Sequence, residues 1–158
     1  MKTYSILLII PFFIFSNYIL AQQTFEKIIS EPEDQIINHI IEDNDGNFIM
    51  VGRIKNNETS LFNGYLIKID STGDLIQGET ISLDDTISSL FFNIHFFNNC
   101  YYILGSYKLV SVETSKLWYL KLNSNLEIED EKFLNIPSGK WFSYMNSIID
   151  SDTNFVIT

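Results

Sequence analysis

Two short stretches of alternating carboxylate and amide side chains are the first candidates for chemistry in this sequence. They are Asp43, Asp45 and Asn47, and then Asp150, Asp152 and Asn154. Such an alternation is typical of the start of a calcium loop, but calcium takes about six to eight oxygen ligands, with a glycine and a distal glutamate further along. An apolar run begins directly at Phe48. We therefore predict plain hairpin turns, with weak calcium binding as the alternative.

The two histidines and the single cysteine are the next candidates. His39 and His95 occupy non-equivalent places in the repeat described below, so we expect packing or surface roles rather than a two-histidine metal site. Cys100 follows an apparent turn at Asn98 and Asn99, and no base or cation that would activate its thiol is evident nearby. We expect Cys100 to be a reduced residue of a turn or a strand edge.

Aromatic and lysine side chains form a third group. Trp118 and Trp141 could form a platform for a sugar or a peptide, but packing in the core is the stronger interpretation. Lys68 and Lys121 recur at equivalent places in the repeat, which predicts a structural role, such as placing a charge at a strand edge. A run of acidic residues is predicted to be a solvated edge: Glu127, Glu129, Asp130 and Glu131.

Motifs of established chemistry do not occur in the sequence. It contains no glycine-rich phosphate loop, nucleophile elbow, His-Glu-x-x-His pattern or paired-cysteine metal motif. We therefore predict no catalytic residues, no metal ligands, no cofactor-binding residues and no cofactor. The net charge of -10 would repel the phosphates of nucleic acids and anionic membrane surfaces, so neither is an expected partner.

The composition favours a packed all-β fold. Hydrophobic residues make up 46% and aromatic residues 15% of the 158 positions, enough for a core and too many for a wholly disordered chain. Isoleucine, phenylalanine and tyrosine, which favour strands, are abundant. Alanine, the best helix former, does not occur after Ala21.

The N-terminus has the order of a secretory signal peptide. Lys2 precedes an apolar run over residues 6–15, and the small residue Ala21 marks the expected cleavage site. Pro11 and the polar residues 16–17 interrupt the apolar segment, whereas a membrane anchor needs about 20 mostly apolar residues. We predict a signal peptide over 1–21, a secreted or cell-surface protein, and no membrane span after cleavage.

Beyond the signal, the sequence repeats with a period of about 53 residues. An aromatic-apolar segment ending in glycine occurs at 47–52 and again at 100–105, and begins once more at 154–158. A second segment, over 64–70, recurs at 117–123. Lys68 and Lys121 are 53 residues apart, as are Phe48 and Tyr101. Markers that recur in register indicate an array of similar structural units.

Each unit is predicted to form four short strands. The first unit gives strands over 36–42, 48–54, 65–69 and 75–83. The second unit gives strands over 89–97, 101–107, 117–122 and 127–133. A third unit begins with strands over 144–150 and from 155 onward. Turn residues separate consecutive strands at 43–46, 70–73, 98–99 and 123–125. No segment after the signal has a helical period.

These repeats resemble those of secreted β-propellers that are common in Bacteroidetes-type bacteria. The likeness rests on residues 45–52 and 65–73 of the first unit, while the second unit lacks both turn glycines. The resemblance implies an all-β, propeller-like array of four-stranded antiparallel blades, often exported by the type IX system. The expected organisation is an N-terminal strand and lead-in over 22–35, blade 1 over 36–88, blade 2 over 89–143 and the start of blade 3 over 144–158. About two and a half blades would leave the ring incomplete.

The functional expectation is correspondingly broad. A non-catalytic extracellular binding or adhesion module is favoured, with an unknown protein or carbohydrate as its partner. The alternative is part of an extracellular propeller enzyme, a hydrolase or lyase, whose catalytic residues lie outside these 158 residues.

Overall fold

The protein is described by a computed structural model that covers residues 28, 32–109, 111, 115–134, 147–150 and 155–157. Within these residues the fold is all-β, and no helix is present. The predicted signal peptide (1–21), most of the lead-in (22–35) and Trp141 lie outside the described residues. In the same described ranges, no helical segment has the length and apolar character that crossing a membrane would require.

Ten strands occur in the described chain, and the first eight form two open sheets of four strands. Sheet 1 comprises β1 (Gln35–Glu42), β2 (Phe48–Lys55), β3 (Phe62–Ile69) and β4 (Leu75–Ile81). Sheet 2 comprises β5 (Ile87–Phe97), β6 (Cys100–Leu109), β7 (Ser115–Leu122) and β8 (Ile128–Leu134). A final pair consists of β9 (Ser147–Ile149) and β10 (Phe155–Ile157).

Both large sheets are antiparallel meanders in which each strand pairs with the next one in sequence. The eight strands predicted for the first two units are confirmed, with ends that differ by a few residues. Four-stranded antiparallel units are therefore confirmed as the repeating element of the fold.

The two sheets share irregularities at equivalent places, which extends the sequence repeat to the backbone. In sheet 1 the register of β1 against β2 shifts between Ile37 and His39, and in sheet 2 that of β5 against β6 shifts between Phe91 and Asn93. A second shift occurs beside Lys68 in β3 and beside Lys121 in β7. Two matched bulges in each sheet show that the units repeat as whole sheets.

The first bulge explains why each unit carries a glycine in its second strand. A Cβ atom placed on Gly52 would overlap the carbonyl oxygen of Ile36, and one placed on Gly105 would overlap the carbonyl oxygen of Leu90. The bulged first strand passes so close to the second strand that no side chain fits there.

Three of the hairpins use one five-residue turn. Asp43, Asp70 and Asn123 each accept backbone N–H bonds through the side chain and are joined by backbone hydrogen bonds to the fifth residue of the turn. The fourth residue has a positive φ, of 77° at Gly46, 85° at Gly73 and 65° at Leu126. The β5–β6 hairpin instead turns at Asn98 and Asn99, whose φ values are 49° and 60°. All four predicted turns are confirmed.

The sheets stack front to back. We call the face of sheet 1 that carries Tyr65 and Ile67 its front face, and the face that carries Leu66 its back face, since neighbouring residues of a strand point to opposite sides. The equivalent front-face residues of sheet 2, Trp118 and Leu120, pack in one buried cluster with Leu66. The back face of sheet 1 therefore packs against the front face of sheet 2.

Phe91 lies at the centre of this junction and is fully buried. Its ring would be 2.5 Å from a Cβ atom placed on Gly64 of sheet 1, and its centroid lies 5.1 Å from that of Trp118 in sheet 2. Gly64 therefore provides the recess that admits the Phe91 ring and brings the two sheets together.

Candidate functional site

A groove of about 680 Å³ runs along the front face of sheet 1, the face opposite sheet 2. Its floor is formed by β2, β3 and β4, and the loop between β2 and β3 forms a rim at one end. The lining residues are mostly polar: Glu33, Ile54, Lys55, Asn56, Asn57, Glu58, Asn63, Tyr65, Leu75, Gly78 and Thr80. A volume of this size is within the range of about 300–1,000 Å³ that small-molecule sites have.

Asn63 is the most informative residue of the groove. It is only 7% exposed, it lies on the front face one pleat from Tyr65, and it lines the groove. Its side-chain amide carries both donors and an acceptor of hydrogen bonds. Asn63 therefore places a largely buried polar group along the groove.

The rim of the groove is held by hydrogen bonds within the β2–β3 loop. The side-chain oxygen of Asn56 accepts hydrogen bonds from the backbone N–H groups of Glu58, at 2.9 Å, and Thr59, at 3.1 Å. The backbone of Asn56 also bonds to Leu61, at 2.7 Å, and accepts from Ser60, at 2.8 Å. The loop is thus closed on itself by its first residue, as in other turns begun by asparagine.

The groove carries a net negative charge. Glu33 and Glu58 contribute two carboxylates, while Lys55 contributes one ammonium group. The Lys55 Nζ also lies 3.9 Å from Oδ2 of Asp34, outside the groove, which partly neutralises it. Anionic ligands are therefore disfavoured.

The predicted calcium residues form a different structure. The hairpin at Asp43 is confirmed, and both carboxylate oxygens of Asp43 are engaged by the protein. Oδ1 accepts from the backbone N–H groups of Asp45 and Asn47, at 2.9 and 3.0 Å, and Oδ2 accepts from the Tyr101 hydroxyl at 2.9 Å. Oδ2 also lies 3.0 Å from the Nζ of Lys68. In the second stretch, Asp150 is exposed, while Asp152 and Asn154 lie outside the described residues.

Asp43, Lys68 and Tyr101 form a buried ionic triad between the sheets. The side chains of Asp43 and Lys68 are 2% and 12% exposed, and the Lys68 Nζ donates to the Tyr101 oxygen at 3.2 Å. Burial alone would raise the pKa of Asp43, but hydrogen bonds from Lys68, Asn47 and Tyr101 hold that pKa well below its usual value. Burial would lower the pKa of Lys68, yet its bonds to Asp43 and Tyr101 raise it overall. Both groups are therefore charged at neutral pH.

The structural role predicted for the two lysines takes different forms in the two sheets. Lys68 on β3 and Lys121 on β7 both lie on inner strands of their sheets, so the suggestion that they cover strand edges is wrong for both. Lys121, the equivalent of Lys68, pairs with Glu129 at 2.7 Å near the surface. The two positions differ because the tight Asn98–Asn99 turn leaves no counterpart of Asp43 in sheet 2.

His39 and His95 are brought together although they are not equivalent in the repeat. Their ring centroids are 6.3 Å apart, across the contact between β1 and β5. Nδ1 of His39 accepts a hydrogen bond from the Ile94 N–H at 3.3 Å, and Nε2 of His95 lies 2.8 Å from the Ser147 hydroxyl on β9. Burial, and then the neighbouring His39, lower the pKa of His95. No third metal-ligating residue joins the pair within the described ranges.

The remaining candidates have structural roles. Trp118 is fully buried, which confirms core packing, and its Nε1 donates to Glu131 at 2.8 Å. The predicted acidic run lies on or beside the edge strand β8 and is largely exposed, as expected of a solvated edge. Cys100 is partly exposed at the start of β6, and its Sγ donates to Glu129 at 3.9 Å.

The sequence alone did not indicate the groove. Asn63 and Gly78 lie in the two stretches, 62–64 and 75–81, where strand positions carry no strong motif. The one available signal was that these residues are smaller than the residues at the equivalent positions of the second unit. In comparisons with known proteins, no family model, no curated protein and no solved structure matches this chain.

Proposed function

We propose that this protein is a secreted or cell-surface, non-catalytic binding module, built as a propeller-type array of four-stranded blades. The observation that carries the proposal is the front-to-back stacking of two equivalent sheets. A β-sandwich would close its core by packing two inner faces together and would end there. When the back face of one sheet meets the front face of the next, the arrangement can continue from sheet 2 to a further unit.

Contacts made by the first strands support continuation of the array. Asn38 on β1 donates to the Phe91 carbonyl of β5 at 2.6 Å, next to the contact between His39 and Ile94. The next first strand, β9, contacts β5 through His95 and Ser147. The first strands of consecutive units thus lie side by side, as they do around the axis of a propeller.

The groove on sheet 1 supports a binding role. It is built on three paired strands with a hydrogen-bonded rim, so its shape is established before a ligand arrives. Preformed sites lose less conformational entropy on binding than flexible ones. The largely buried Asn63 side chain supplies a polar amide to the lining of the groove.

Two measurements test this function: whether the protein is exported, and whether it retains extracellular polymers. The protein exported by its host should begin near Gln22, and the purified protein should retain polymers from the growth medium without changing their mass. N-terminal sequencing and mass spectrometry of the bound and unbound material provide the measurements. Shortened polymers would establish an enzyme instead, and a protein that retains nothing would contradict a binding module.

A further inference from the structure

We propose that the groove on the front face of sheet 1 binds a neutral oligosaccharide. This inference rests on the proposed binding function and specifies the chemistry of its ligand. Four observations carry it: the difference between equivalent positions of the two sheets, the polar groups of the groove, the state of its main chain and its charge.

Equivalent positions in sheet 2 are filled by large side chains. Sheet 1 has Ile54, Tyr65, Gly78 and Thr80 where sheet 2 has Tyr107, Trp118, Glu131 and Phe133. In sheet 2 the Phe133 ring lies edge-on to Tyr107 at 5.1 Å and stacks with Trp118 at 6.4 Å. The same backbone thus carries an aromatic cluster in one unit and a groove in the other. The groove results from smaller side chains in unit 1, not from a gap in the fold.

The polar groups of the groove match the hydroxyl groups of a sugar. Asn57 and Asn63 offer amides, each both donor and acceptor, and Thr80 offers a hydroxyl. The carboxylates of Glu33 and Glu58 accept hydrogen bonds only. Sugar hydroxyls also donate and accept, so this mixture can satisfy several of them at once. The apolar side chains of Ile54 and Leu75 can contact the C–H faces of the sugar rings.

Two of the three floor strands, β2 and β3, have their main chains paired on both sides, whereas β4 is an edge strand. β3 lies between β2 and β4, and its residues form continuous ladders with both neighbours. A peptide bound as an added strand would need free N–H and C=O groups, which a central strand does not offer. A ligand that lies across β2 and β3 must therefore be recognised by side chains, which favours a hydroxyl-rich ligand over an extended peptide there.

Charge selects a neutral saccharide rather than an acidic one. Two carboxylates against one ammonium group, on a chain with a net charge of -10, oppose the entry of uronate, sulfate or phosphate groups.

Gly78 allows a sharp test because it can be changed without disturbing the fold. It lies exposed on the edge strand β4, and a Cβ atom there would meet only the Tyr65 hydroxyl, at 4.0 Å. Gly78→Leu therefore fills the groove. Asn63→Leu keeps the size of the side chain and removes the amide. Ser71→Leu adds the same side chain in an exposed turn away from the groove and is the matched control.

Binding is measured by calorimetry and on immobilised sugars, with neutral hexasaccharides of glucose, mannose, xylose and N-acetylglucosamine and an acidic hexasaccharide of galacturonate. We expect the protein to bind at least one neutral sugar in preference to the acidic one. Gly78→Leu and Asn63→Leu should each weaken that binding by about tenfold or more, and Ser71→Leu by less than about twofold. Thermal melts verify that each variant is folded.

The saccharide assignment is overturned if none of the neutral sugars binds, if galacturonate binds better, or if Gly78→Leu binds as well as the unmodified protein. Retention of an extracellular protein that carries no such sugar would also overturn it, while the proposed binding function would stand. A protein that retains no polymer of any kind would contradict both proposals.

Discussion

Replacing Lys68 with methionine tests whether the ionic triad holds the two sheets together. The substitution keeps most of the side-chain length and removes the charge. It leaves the Asp43 carboxylate, with its side chain 2% exposed, without its cation at the junction between sheets. The Tyr101 hydroxyl remains as its hydrogen-bond donor, at 2.9 Å.

Because the triad is buried, the expected loss of stability is large. Removing one partner of a buried ion pair typically costs about 3–5 kcal/mol, since the other charge stays buried and unpaired. The lower part of this range is expected here, because Asp43 keeps its bonds to Tyr101 and to the backbone of its turn. Changing both partners, in Asp43→Asn with Lys68→Met, should cost clearly less than the sum of the single changes.

Urea unfolding of the single and double variants measures these costs. Lys121→Met is the matched control, because Lys121 occupies the equivalent position in sheet 2 but pairs with Glu129 near the surface. We expect it to be far less destabilising than Lys68→Met. Equal losses for the two lysines, or additive losses in the double variant, would refute the argument that burial makes the triad important.

Three further predictions concern packing, turn strain and pH. Gly64→Ala should destabilise the protein by about 1–3 kcal/mol in thermal melts, because its new Cβ would press on the Phe91 ring; unchanged melting would contradict the packing described for the junction. Ser60→Gly should raise the free energy of unfolding by up to about 1 kcal/mol, since Ser60 has a φ of 61°; a loss would show that the turn is not strained. Stability should fall as the pH drops below about 6.5, because the folded state lowers the pKa of His95 and only the unfolded chain then takes up the proton readily. In His95→Gln the free energy of unfolding should vary less between pH 7.5 and 5. An unchanged slope would show that another group causes the pH dependence.

The repeat was the most informative feature of the sequence. Its period of about 53 residues placed eight strands and four turns correctly, because alternating apolar residues and turn-forming Asp, Asn and Gly act over only a few positions. The sequence also showed that Gly52 and Gly105 occupy equivalent positions. It did not show the cause, which is the bulge in the preceding strand.

The candidate site and the ionic triad could not be predicted in the same way. Asp43 and Lys68 look like a turn residue and a strand residue, and Tyr101 comes from the next unit. The non-equivalent places of His39 and His95 in the repeat spoke against a histidine pair. Their rings nevertheless lie 6.3 Å apart, because β1 and β5 contact each other.

The sequence by itself determined the strands, the turns and the four-stranded unit, because these depend on local backbone preference and on the two-residue period of side chains along a strand. The tertiary structure alone decided which faces meet, which charges are buried and where a groove remains. These depend on how the back face of one sheet fits the front face of the next, and so on the relative sizes of side chains from distant segments, such as Gly64 and Phe91, which meet at the junction.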